Sequence, residues 1–256
     1  MRRHVPGDGS VVLTDLTSSL CCLGVWGSLA RDLVGSRTED DLSNEAMAYM
    51  RAGTAHIGHV ACRLLRVSYV GELGWEIYAP AELGRRLWDT LWDAGRSLGA
   101  VACGGAAYDS LRLEKGYRLW GQDIDEEHNP YEAGLGWAVR LGKDADFIGR
   151  EAAAAIKERG NTRQLCCLVT DDPAVMLVGK EPLLDGDRPL GYVTSAGYGA
   201  TVGESILYGY LPVERSEPGT VLAMHSAGAD HRVTVVSEPR FDPEMARLRD
   251  VAAAAR

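Results

Sequence analysis

Apolar positions along residues 80–95 recur every three or four residues, with Leu83, Leu87, Trp88, Leu91 and Trp92 on one side and polar residues between them. That period predicts an amphipathic helix entered after Pro80 and stopped at Gly95. Helices are also expected over residues 106–115, ended by Gly116, and over 147–159, ended by Gly160, with one helical turn opened by Pro130. Ser28 is placed to cap a short helix running to Gly35, and Asp41 or Ser43 to start another over 44–50. Residues 10–15, 61–69, 75–78 and 136–140 read as strands, with turns at 24–27 and 71–74.

After residue 161 the texture changes. Short strand-like runs at 165–169, 190–194, 205–211, 221–224 and 232–236 are separated by turn residues, and no amphipathic helix competes with them. Such spacing is the pattern of a small all-β barrel or sandwich. The expected fold class is therefore α+β, with a mixed region over 1–160, a β-barrel over 161–246 and a frayed tail over 247–256.

Composition narrows the partners. The 256 residues are 46% hydrophobic and 25% charged, an ordinary globular balance. A net charge of −9 with no basic run speaks against nucleic acid and anionic membrane. No apolar run approaches the ~20 residues of a membrane span, and the first residues lack an apolar stretch, so a cytoplasmic location is expected. The six cysteines, at 21, 22, 62, 103, 166 and 167, include no C-x-x-C and read as small buried apolar residues in a reducing compartment. His56 and His59 flank a glycine turn without a third ligand, so no metal site is expected. The acidic clusters at 39–41 and 123–127 read as solvated loops, and the glycines of 197–203 as a turn, not a dinucleotide loop.

Chemistry enters through several ordered segments. These are Val67-Ser-Tyr-Val-Gly-Glu-Leu-Gly-Trp-Glu-Ile-Tyr78, Asp109-Ser-Leu-Arg-Leu-Glu-Lys-Gly116, Leu119-Trp-Gly-Gln-Asp123, Glu132-Ala-Gly-Leu-Gly-Trp137, Asp146-Phe-Ile-Gly-Arg-Glu151 and Gly191-Tyr-Val-Thr-Ser-Ala-Gly-Tyr198. Together, from about Val11 to Arg249, the chain resembles the folate-binding aminomethyltransferase family, the T-protein of the glycine cleavage system. It is most similar to the branch fused to dimethylglycine and sarcosine dehydrogenases and oxidases.

The resemblance implies a glycine-cleavage T-protein-like folate-binding domain, N-terminally truncated relative to the family, followed by a small all-β barrel. It implies tetrahydrofolate as cofactor. Glu76 matches the glutamate that holds the pterin, Tyr69 a tyrosine lining the pocket and Trp137 an aromatic packed near it. A carboxylate suits that role, because a reduced pterin offers a ring N–H and an exocyclic amine as two parallel donors. Without the resemblance, Tyr69 and Trp137 are plain core or strand aromatics and Glu76 an outward-facing strand carboxylate. Tyr108 stands where the glycine-cleavage branch has a ligand-binding arginine, and a phenol supplies no charged fork.

The family's catalytic aspartate matches nothing here, since it precedes the segment resembling Val11, and the catalytic residue is left unknown. Of the internal carboxylates, Asp109 reads as helix capping, and Asp123 and Asp125 as polar loop residues. The implied activity is transfer of a methylene or methyl group from an amine-type or methylated donor to tetrahydrofolate, by this chain or as the C-terminal part of a larger enzyme. The implied partners are a chain supplying the N-terminal half, an oxidase, or a second copy. The alternative is a non-catalytic folate-binding or interaction subunit that needs a partner chain.

Overall fold

The structure is a computed structural model that describes residues 2–249. Of the frayed tail expected over 247–256, residues 247–249 instead close a helical turn, Ala246–Arg249, because Leu248 is buried, and the rest lies outside the described residues. The chain has mixed helix and sheet content and divides into two compact units. Of the described residues, the first is formed by 2–68, 72–102 and 246–249, the second by 69–71 and 103–245.

The first unit is built on a four-stranded antiparallel sheet of β1 (Leu20–Trp26), β2 (Ala52–Ile57), β3 (Val60–Leu65) and β4 (Gly74–Pro80), in the order β1-β4-β3-β2. Alternation splits its residues between two faces. Ala55, Ile57, Val60, Cys62, Leu64, Trp75, Ile77 and Ala79 pack against Leu33 and Val34 of α1 (Ala30–Gly35) and Leu87, Leu91 and Ala94 of α2 (Gly84–Gly95). Glu76, Tyr78, Arg63, Thr54 and His56 stand on the opposite face. The α2 period is met, but its buried line runs through Leu87 and Leu91, while Trp88 is exposed and stacks on Trp92.

Several expectations fail in this unit for identifiable reasons. Residues 10–15 form no strand, because Val11, Val12 and Leu13 find no partner strand and stay exposed. Residues 24–27 form no turn, because β1 runs on to Trp26 and Gly24 leaves room for the Trp26 indole. A Cβ at Gly24 would fall within that ring. Ser28 makes no cap, and α1 starts after Leu29. Residues 44–50 form turns in place of a helix. Their polar groups are drawn to two arginines: Arg66 donates to Asn44 Oδ1 and Met47 O at 3.0 Å each, and Arg31 donates to Asn44 Oδ1 and Leu42 O. Strand β2, rich in small residues, carries too little apolar pattern to be read.

The second unit contains α3 (Gly105–Glu114), α4 (Arg150–Arg159) and a closed antiparallel barrel. Its strands are β5 (Arg163–Thr170), β6 (Pro182–Asp185), β7 (Arg188–Gly199), β8 (Glu204–Pro212), β9 (Val221–Ser226) and β10 (Ala229–Val236), in the order β10-β5-β8-β7-β6-β9. Leu168, Leu183, Val193, Leu207, Leu211 and Val233 fill the barrel, while Leu113 of α3 packs outside it on Leu165, Ile206 and Tyr208. Adjacent Cys166 and Cys167 point to opposite sides of the barrel wall, one into each of these clusters. Residues 136–140 are not a strand: Gly136–Ala138 is a short 3-10 turn, and it leaves Trp137 77% exposed. The helix expected from 147 begins at Arg150, after Gly149 at φ +90°.

Candidate functional site

The open face of the first unit's sheet holds the carboxylate singled out by sequence. Register sets its neighbours, with Glu76 opposite Gly24 on β1 and Leu65 on β3, and Tyr78 opposite Cys22 and Arg63. Residues two apart on a strand share a face, so Glu76 and Tyr78 stand side by side. The Tyr78 hydroxyl donates to Glu76 Oε2 at 2.7 Å. That bond, and then burial, hold the Tyr78 phenol above its ordinary pKa, so it stays a donor. Desolvation also raises the Cys22 thiol, and the Glu76 charge adds to it.

Among the described residues Glu76 has no cationic partner. The Trp26 indole lies over Gly24, beside it, with Nε1–H donated to Val67 O at 2.9 Å. From Tyr78 the face opens into a cleft of about 720 Å³ lined by Leu16, Leu20, Thr54, Arg63 and Leu65. A half-buried carboxylate with one hydroxyl bond and uncommitted lone pairs can accept further N–H donors.

The second unit holds the other three candidates. Tyr69 stacks on Tyr108, with ring centroids 5.2 Å apart, and on Tyr117 at 5.6 Å. Its hydroxyl donates to Arg118 O at 2.5 Å, and burial raises its pKa. Tyr69 and Tyr108 are thus brought together, whereas Trp137 stands exposed on its own turn.

The internal carboxylates behave differently from their sequence reading. Asp109 lies inside α3, away from its cap, and accepts from Arg112 Nε at 2.7 Å. Asp123 is 1% exposed and not a solvated loop residue. Its Oδ2 accepts from Arg112 Nη1 at 2.7 Å and from the Leu119 N–H at 2.9 Å, and its Oδ1 accepts from Thr194 Oγ1 at 2.6 Å. Asp125 accepts from the Glu127 N–H and pairs with His128 Nδ1, and these bonds hold it below the usual carboxylate range. No group of three or more His, Cys, Asp or Glu among the described residues is arranged to hold a metal ion. Sequence reasoning missed Tyr78 and the Asp123 pair. Only Tyr78 left a signal, its two-residue spacing from Glu76.

Comparison with known proteins gives a consistent picture. Residues 1–143 match the GCVT N-terminal domain and residues 163–242 the glycine cleavage T-protein C-terminal barrel domain. The chain is 35% identical over 243 residues to mouse mitochondrial dimethylglycine dehydrogenase, covering 95% of this chain and 28% of that protein. It is 34% identical over 240 residues to an aminomethyltransferase of Symbiobacterium thermophilum, covering 93% and 64%. The crystal structure of glycine cleavage system aminomethyltransferase T from Bartonella henselae superposes with a TM-score of 0.73 at 28% identity, over 84% of this chain and 57% of that one. The chain therefore spans less than two thirds of the length of each of these proteins.

Proposed function

The chain belongs to the glycine cleavage T-protein family, and within it we propose that the chain binds tetrahydrofolate through Glu76 and serves transfer of a one-carbon unit to it from an amine-type donor. The observation that carries this reading is the Glu76 carboxylate, held in place by Tyr78 and otherwise free to accept two parallel donors. That donor set fits the amino edge of a reduced pterin. Bound tetrahydrofolate supplies the nitrogens that accept the one-carbon unit. Glu76 binds and orients the ring edge, with the apolar Leu65 opposite it on β3. In the second unit Tyr69, Tyr108 and Trp137 are proposed folate contacts on the strength of the resemblance alone.

A second reading has its own support. The three internal carboxylates weighed as proton acceptors are all engaged: Asp109 and Asp123 with Arg112, and Asp125 with His128. That favours a folate-binding subunit whose proton transfer comes from elsewhere, in a longer protein, in a partner such as an amine oxidase, or in a second copy. A general base has to reach its proton directly or through one water, and committed carboxylates do so poorly. Calorimetric titration with tetrahydrofolate, run beside turnover assays with N-methylated amines, separates the readings. Binding with turnover supports the transferase, binding alone supports the subunit, and no binding overturns both.

A further inference from the structure

The Glu76 carboxylate hangs on a flexible side chain, and its position depends on what its neighbours do. On the β1 side, Gly24 contributes no side chain and the Trp26 N–H is committed to Val67 O. On the β3 side, Leu65 is apolar. Tyr78 alone supplies a hydrogen bond, at 2.7 Å to Oε2, and its ring forms part of the cleft wall between Cys22 and Arg63. We infer that Tyr78 is a positioning residue for ligand capture, whose hydroxyl fixes the Glu76 carboxylate in the orientation that presents its remaining lone pairs.

The chemistry is suited to this. A carboxylate has about four lone-pair sites, so one phenol donor leaves enough for two parallel N–H groups. Fixing the side chain before binding removes an ordering cost that a ligand otherwise bears. A phenol held above its ordinary pKa remains protonated, so the bond persists across the neutral range. The hydroxyl also meets the Cys22 thiol, and its effect on the ligand passes through Glu76.

The inference rests on the reading of Glu76 as the pterin-binding carboxylate, and the test separates the two. Tetrahydrofolate dissociation constants are measured on the full chain for wild type, Tyr78→Phe, Glu76→Ala and the double variant, with thermal melting as a check on folding. Tyr78→Phe keeps the ring and is expected to weaken binding about 5- to 10-fold, the loss of one hydrogen bond to a charged acceptor. Tyr78→3-fluorotyrosine keeps the donor and is expected to restore wild-type affinity. The double variant is expected to bind no worse than Glu76→Ala.

Wild-type affinity in Tyr78→Phe, with Glu76→Ala impaired, overturns the positioning role and leaves the Glu76 reading standing. An undiminished Tyr78→Phe loss on the Glu76→Ala background also overturns it, by showing that the hydroxyl acts independently of Glu76. Wild-type affinity in Glu76→Ala overturns both.

Discussion

Arg112 and Asp123 form a 2.7 Å ion pair in which each side chain is only 1% exposed. Every remaining donor or acceptor of note is also used: Arg112 reaches Asp109, the Tyr117 carbonyl and Ser195 Oγ, and Asp123 receives the Leu119 N–H and Thr194 Oγ1. The pair thereby ties α3, the 117–123 segment and β7 together within the second unit.

Asp123→Ala strands a guanidinium in the interior. It is expected to destabilise the protein by about 3–5 kcal/mol, the usual cost of breaking a buried pair from one side. Denaturant unfolding measures this, and Arg112→Met combined with Asp123→Leu is expected to lose less than either single change. A single variant as stable as wild type contradicts the keystone role.

Glu76→Gln replaces one acceptor oxygen by a donor amide. Affinity for tetrahydrofolate is expected to fall by about 2–4 kcal/mol, or roughly 30- to 1,000-fold. Glu72→Gln is the control, because Glu72 pairs with Arg247 at 2.8 Å and its loss acts on local structure. Equal affinity for wild type and Glu76→Gln removes the carboxylate from the site.

Thiol reactivity should follow burial. Cys103 and Cys22 are exposed, whereas burial pushes Cys62 up to about 11 and Cys166 and Cys167 up to about 12. Only the thiolate alkylates readily. Iodoacetamide near neutral pH is expected to label Cys103 first, Cys22 more slowly, and Cys62, Cys166 and Cys167 only after unfolding, as read by peptide mass spectrometry. Labelling of Cys166 or Cys167 in the folded chain contradicts the barrel packing.

Glu132 gives the acid dependence a sign. Burial acts to raise it, but the Arg163 guanidinium and the Asn129 N–H outweigh that and hold it below the usual carboxylate range. A depressed folded-state pKa contributes stability that is present above the unfolded value, about 4.3, and is lost as pH falls through the folded value. Melting temperatures taken downward from neutrality are expected to drop below about pH 4, and less steeply in Glu132→Gln. Parallel curves for the two proteins contradict this assignment.

What could be read from sequence depended on how local the determinants are. The α2 period and the barrel strands after 161 are local patterns and were legible, as was the outward placement of Glu76 between core-facing Trp75 and Ile77. Strand β6 is only four residues long, and residues 44–50 are held open by Arg66, whose identity as a partner lies in the fold. Asp123 looked like a loop carboxylate because its partners are 11 residues upstream at Arg112 and 71 downstream at Thr194. The Tyr78 bond to Glu76 was missed as well, although strand alternation places the two residues on one face and so left a local signal for it.

Gly24 contributes no atom beyond its backbone, yet it decides where the Trp26 indole lies and hence what stands beside Glu76. Any side chain there evicts the indole. In a saturation scan scored by ligand capture, this glycine would rank among the contact positions, an apparent contact residue made entirely of the room it leaves.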